Sequence, residues 1–175
     1  MKIFEFPELR QTYNFDCGAK AIQAVLAYYG FDMREEKIMK MAKTVRIGTP
    51  IDGILFVLKE YRFKYKSGKM TILDLKKYID KKIPIILLLQ AWSYKKKKDW
   101  KNDWKDGHFV VAIGYDKEKI YFEDPSSVKR TYLTFSELKE RWHDEDTDGK
   151  RYFNFGIAVF GEKSNYKSER FIHMK

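Results

Sequence analysis

The sequence predicts an α+β fold, with an N-terminal helical lobe packed on a C-terminal antiparallel β-sheet. Apolar residues recur at helical spacing from Cys17 to about Lys82, and strand-length apolar runs take over from Pro84 to Phe160. The chain has 175 residues, 44% hydrophobic and 17% aromatic, enough for one domain with a real core and unlike a disordered segment. No internal repeat and no Gly/Ser-rich linker divides it. One domain over 1–175 is therefore expected: a helical part over about 1–82, a β-rich part over about 83–160 and a polar tail over 161–175.

The first helix is expected over residues 17–29. Asp16 can cap it and Gly30 can end it, while Ile22, Val25, Leu26 and Tyr29 follow the i, i+3, i+4, i+7 spacing of a buried face. Arg34 to Lys43 reads as a second helix, with Ile38, Met41 and Ala42 on one side. Thr49-Pro50 opens a third, Thr49 as cap and Pro50 in the first turn, with Ile54, Leu55, Leu58 and Tyr61 inward. Phe63 to Lys66 reads as a short strand. A fourth helix starts at Thr71-Ile72-Leu73-Asp74 and ends near Lys82. Strands are expected at Pro84–Ala91, Gly107–Gly114, Lys119–Asp124 and Val128–Leu133. Thr134-Phe135-Ser136-Glu137 has capping-box spacing and starts a helix to about Trp142, and Phe155–Phe160 is a late strand.

Composition narrows the function classes. The N-terminus is too short in apolar residues and too charged for a secretory signal, and no apolar run approaches the roughly 20 residues of a membrane span. A single cysteine excludes an internal disulfide, so a reducing cytoplasm is the natural setting. One cysteine and three histidines lack the spaced ligand pairs of a structural zinc site, and no metal or organic cofactor is expected. The net charge of +10 is spread over nearly every segment without a basic helix or phosphate-binding loop. It reads as a solubility feature and not as specific nucleic-acid binding. The one biased segment, Lys95 to Trp104, reads as a solvated loop or as a substrate-facing flap.

The residues that carry chemistry start at Gln11-Thr12-Tyr13-Asn14-Phe15-Asp16-Cys17-Gly18. It places the only cysteine at a helix N-terminus, where free N–H groups and the helix dipole favour a thiolate. A nucleophile of this kind needs a base and an oxyanion donor. His173 lies in the tail. His143, in Trp142-His143-Asp144, sits at a helix end where a local ion pair or C-cap is expected. His108 begins an apolar strand, where a charged ring needs a partner. A hairpin centred on Asp116 puts Asp124 directly opposite His108 and on the same face, close enough to hold an imidazole N–H. A one-residue slip separates them, and Asp124-Pro125 also reads as simple turn initiation. In this scheme Cys17 attacks a carbonyl carbon, His108 protonates the leaving amine and Asp124 orients the ring. The Gln11 amide and the Cys17 N–H hold the oxyanion, each such donor lowering the barrier by roughly 2.7–4 kcal/mol. Asp16 opposes the scheme, because a carboxylate beside the thiol raises its pKa unless helix capping turns it away.

Gln11-x5-Cys17-Gly18, followed by a helix ending Tyr28-Tyr29-Gly30, resembles the papain-like cysteine peptidases, and more closely the bacteriocin-processing, double-glycine-leader peptidase family. Asp106 to Asp116 and Phe122-Glu123-Asp124-Pro125 resemble that family's histidine and aspartate motifs, and the match spans roughly residues 8–160. The resemblance implies a papain-like fold with Cys17 as nucleophile, His108 as base, Asp124 as its orienter and Gln11 as oxyanion donor. It implies a peptide or protein substrate, cut after small residues such as Gly-Gly. The chain looks like a free-standing relative of domains otherwise fused to exporters, and it lacks the second cysteine of the cathepsin branch. Gln90-Ala91-Trp92 and Arg141 to Asp144 resemble segments of stand-alone relatives, and Trp92 and Trp104 are expected to wall the cleft. The same triad would also serve a transpeptidase, acyltransferase or amidase, and a non-catalytic peptide-binding relative is the third alternative.

Overall fold

The computed structural model describes residues 1–162, 166–167 and 173–174. The chain starts in a two-residue strand, Lys2–Ile3 (β1), and then enters the helices Cys17–Tyr28 (α1), Glu35–Met41 (α2) and Ile51–Glu60 (α3). Strand Lys64–Lys69 (β2) and helix Ile72–Asp80 (α4) lead into strands Ile85–Gln90 (β3), Gly107–Tyr115 (β4), Lys119–Glu123 (β5) and Thr131–Thr134 (β6). Helix Phe135–Arg141 (α5) and strands His143–Glu145 (β7), Arg151–Phe153 (β8) and Phe155–Phe160 (β9) follow. The tail expected over 161–175 lies largely outside the described residues.

Among the described residues the main sheet has seven strands in the order β2-β9-β3-β4-β5-β6, with β1 joined to the far end of β4. Every pairing in it is antiparallel. Strands β7 and β8 form a separate two-stranded ribbon. The expected mixture of helices and antiparallel strands is what the chain adopts. The segregation into halves is less clean, because β2 leaves the helical part to pair with β9 at the sheet edge.

The helices form where apolar spacing and stop signals agree. Ile22, Val25 and Leu26 of α1 are fully buried against β4, and Gly30 ends the helix at φ +89°, a conformation favoured in glycine. In α4 the capping box is complete: Thr71 Oγ1 accepts from the Asp74 N–H at 3.1 Å, and the Asp74 carboxylate accepts from the Thr71 N–H at 2.8 Å. Thr134 and Glu137 repeat it for α5. Strand β3 lies between β9 and β4 and is buried at every residue, which explains its unbroken run Ile-Ile-Leu-Leu-Leu. Two expected caps fail. Asp16 makes no side-chain bond to α1, and Thr49 makes none to α3. Thr49 is buried against Thr44, their hydroxyls 3.0 Å apart, and the α3 N-terminus is satisfied by the distant Asp146, whose two oxygens each lie 3.2 Å from the Ile51 N–H.

The hairpin register also differs from expectation. Val111 faces Glu123 and Ala112 faces Phe122, whereas Gly114 faces Tyr121, so Ile113 is an extra residue on β4. Continued past Val111, this ladder sets Asp124 opposite Val110 and not opposite His108. The turn is responsible: Asp116 Oδ1 accepts the Glu118 and Lys119 N–H groups at 2.9 and 2.8 Å, centring the loop beyond Asp116. The displacement is two residues, so His108 and Asp124 keep the same face as diagonal neighbours.

Candidate active site

Cys17 opens α1 and lies buried at the floor of a cleft of about 560 Å³. One wall is Arg46 to Thr49, from the loop before α3. The other is Asp144 to Thr147 with Gly149, from the β7–β8 ribbon, and Trp104 and Lys105 close the rim. Two glycines allow the close packing here. A Cβ on Gly18 would lie 2.7 Å from the Thr49 Cβ, and one on Gly107 would lie 1.9 Å from an oxygen of Asp144.

His108, at the start of β4, is buried, and its Nε2 lies 2.7 Å from Asp124 Oδ1. The ring also interacts with the Cys17 sulfur. Because Nε2 is taken by Asp124, Nδ1 is the nitrogen left for the thiol. Burial disfavours the charged ring, but the bonds to Asp124 and Cys17 outweigh it and lift the His108 pKa to about 10. Burial likewise opposes ionisation of Asp124, and its bond to His108 reverses that and holds the carboxyl below its ordinary range.

Asp124 is held by more than histidine. Oδ1 also accepts the Ser126 N–H at 2.9 Å, while Oδ2 accepts Trp92 Nε1–H at 3.1 Å and Thr131 Oγ1–H at 3.0 Å. Asp124 thus meets His108 and also starts a turn, the Ser127 N–H closing onto the Asp124 carbonyl at 3.0 Å. Trp92 covers Asp124 and does not wall the Cys17 cleft as expected; Trp104 does.

Gln11 is tied to the same region. Its N–H donates to the Pro125 carbonyl at 2.9 Å, its Oε1 accepts from Ser126 Oγ–H at 3.0 Å and its Nε2 donates to the Tyr13 carbonyl at 2.5 Å. Among the described residues the second amide hydrogen has no such engagement. Asp16 turns away from the helix, its Oδ2 accepting the Thr12 and Tyr13 N–H groups at 3.1 and 3.0 Å.

The other histidines are elsewhere. His173 is exposed. His143 makes neither the local ion pair nor the C-cap expected of it; it starts β7, its Nε2 lies 2.8 Å from the Asp103 carbonyl, and its ring packs on Trp104 at 4.6 Å. The lysine-rich segment divides in two. Lys95 binds Asp103 and Asp106, and Trp104 packs under Arg151, whereas Lys96, Lys97 and Lys98 are exposed.

Sequence reasoning missed a buried pair beside the cleft. Gln90 Nε2 donates to Asp144 Oδ1 at 2.6 Å, and Gln90 Oε1 accepts the Asp106 N–H at 3.0 Å. Burial pushes the Asp144 carboxyl up to about 7. Two signals pointed there without giving the contact: Gln90 is a polar residue ending an otherwise apolar strand, and the segments holding Gln90 and Asp144 are those that resemble stand-alone relatives.

The model of the peptidase C39 family matches residues 5–145. Among curated proteins, the transport/processing ATP-binding protein ComA of Streptococcus pneumoniae is 29% identical over 138 residues, 75% of this chain and 17% of that protein. PedD of Pediococcus acidilactici, the pediocin PA-1 transport/processing protein, is 23% identical over 133 residues, again 75% of this chain and 17% of its own length. The chain thus spans about a sixth of these relatives. A C39-like peptidase from Bacillus anthracis superposes with a TM-score of 0.66 at 16% identity, covering 93% of this chain and all of that one. The peptidase domain of Streptococcus ComA superposes at 0.64 and 21% identity, covering 86% of this chain and 95% of that domain. The fold is therefore that of the C39 peptidase domains, the papain-like arrangement the motifs implied. Since the family match takes in most of the chain, from before Gln11 to the end of β7, the protein belongs to the peptidase C39 family.

Proposed function

We propose that the chain acts as one cysteine peptidase domain, with Cys17 as nucleophile, His108 as acid and base, Asp124 as orienter and Gln11 as oxyanion donor. The observation that carries this reading is His108, bonded to Asp124 and interacting with Cys17, the cysteine that lines the cleft. The thiolate sulfur attacks the scissile carbonyl carbon. The oxygen takes up the electron pair and is held by the Cys17 N–H and the unengaged hydrogen of the Gln11 amide. Collapse of the adduct breaks the C–N bond, His108 delivers its proton to the leaving amine, and a thioester remains. Water, deprotonated by His108, releases the acid and restores the thiolate.

Cleavage after small residues such as Gly-Gly is carried over from relatives. One solved structure, TM-score 0.63 at 18% identity and covering 90% of this chain, is described as a double glycine motif protease from an AMS/PCAT transporter in complex with the leader peptide. Among the described residues no helix is long and apolar enough to cross a membrane.

Digestion of a peptide library by the native chain and by Cys17→Ala tests the reading. The native chain should cut with a preference for small residues before the bond, and Cys17→Ala should fall to background. Equal cutting by the two proteins overturns it. Products carrying an added amine in place of water would assign acyl transfer to the same thioester.

A further inference from the structure

Beneath Cys17 lies a buried acidic pair that the scheme above does not use. Asp16 is fully buried and Glu35, at the start of α2, is 9% exposed. Each carboxyl has one well-satisfied oxygen. Asp16 Oδ2 accepts the two loop N–H groups of Thr12 and Tyr13. Glu35 Oε2 accepts Thr12 Oγ1–H at 2.5 Å and Lys20 Nζ–H at 2.9 Å. The other two oxygens, Asp16 Oδ1 and Glu35 Oε1, are buried and have no donor among the described residues, although the two side chains interact. Thr12 donates to both carboxyls, its N–H to Asp16 and its hydroxyl to Glu35, so the two groups are neighbours, and one hydrogen held between them would satisfy both orphaned oxygens.

We propose that Asp16 and Glu35 share one proton, and that this bridge, its single negative charge balanced by Lys20, is a positioning device for the Cys17 thiolate. Burial and the neighbouring Glu35 both favour the protonated form of Asp16, against the pull of the Tyr13 N–H. The bridge resolves the conflict raised by a carboxylate beside the nucleophile. With one proton shared and Lys20 adjacent, the group adds no net charge next to the sulfur. It also fixes α2 to the N-terminus of α1 and to the loop that carries Gln11.

The proposal rests on Cys17 being the nucleophile, so its test has readouts that need no substrate. Infrared difference spectra of the native chain against Asp16→Asn and against Glu35→Gln should each show loss of a neutral-carboxyl band at neutral pH. Either amide removes the shared proton by taking over its donor role. A difference spectrum in which either variant loses no such band overturns the bridge; Glu123 and Asp144, unchanged in both variants, cancel from the difference. Alkylation of Cys17 by iodoacetamide should slow about tenfold or more in Glu35→Ala, which orphans Asp16 Oδ1. Glu35→Gln should recover most of that rate, because its Nε2 donates where the proton lay. A Glu35→Gln chain as slow as Glu35→Ala overturns the positioning role; where Glu35→Ala fails to fold, Glu35→Gln alkylating tenfold below the native chain does the same. A native chain that alkylates rapidly and shows the band but cleaves no peptide would refute the peptidase reading and leave the bridge standing.

Discussion

At His108, burial and partners pull in opposite directions, and the partners win. The sign of the consequence is fixed. The folded pKa stands above the ordinary imidazole value of about 6.5. The charged ring therefore stabilises the fold fully below that value, and this contribution is lost as pH rises through about 10. Activity that needs the imidazolium should decline on the same alkaline limb. Asp124→Asn removes the charge-assisted hydrogen bond that is the strongest single raising influence on the ring, while keeping the shape. Its kcat/KM should fall by about two to four orders of magnitude, and its alkaline limb should move to lower pH. A pH–rate profile of both proteins checks this, and an unmoved limb would show that Asp124 does not govern the ring. Trp92→Phe keeps an aromatic cover but removes the indole N–H from Asp124 Oδ2. Its effect should be smaller, about five- to tenfold in kcat with KM unchanged, measured on the same peptide.

Elements set these residues in place, and some of that placement was legible in the sequence. Apolar spacing and Gly30 located α1 and put Cys17 at its first residue. The alternation of β4 and β5 put His108 and Asp124 on one face, and an even-numbered error in register left that face intact. The turn chemistry of Asp116 and the bulge at Ile113 were missed, because a loop can be centred on several residues with equal local plausibility. Strands β7 and β8, three residues each, carry no period to detect. Contacts between distant segments were out of reach for the same reason: Trp92 and Thr131 on Asp124, Gln90 on Asp144, and Asp146 on α3. The last has a consequence for the cleft. Asp146 caps the first N–H of α3 from the β7–β8 turn, joining the segments that form the two walls. Asp146→Ala should lower stability by roughly 0.5–2 kcal/mol, read from urea unfolding. It should also raise KM more than it lowers kcat, because it frees the walls and not the Cys17–His108 pair. A loss confined to kcat would contradict that division.

Across the whole molecule, a chain of net charge +10 keeps its lysines mostly outside while burying carboxyls around the sheet. Two of these, Glu123 at the end of β5 and Asp144 on the cleft wall, are pushed by burial to about 7. Each keeps one good hydrogen bond, Glu123 Oε1 from the Leu9 N–H at 2.9 Å and Asp144 Oδ1 from Gln90. Both bonds survive replacement by an amide, whose oxygen accepts in the same way. The folded state therefore binds more protons than the unfolded chain between the ordinary carboxyl range and about pH 7. Stability drawn from these two groups must fall as pH rises through that window, the reverse of the usual behaviour of paired carboxylates. The partly exposed Asp116 works in the usual sense, lowered to about 2 by its bond from Tyr121 and by the turn N–H groups, so a raw stability profile mixes opposite slopes. A comparison with Glu123→Gln/Asp144→Asn isolates the buried pair. The double variant should match the native chain near pH 4 and exceed it at pH 8 by an amount on the order of a few kcal/mol, seen as a higher urea midpoint with an unchanged slope. A difference that does not vary with pH would mean that these carboxyls ionise alike in the folded and unfolded chain.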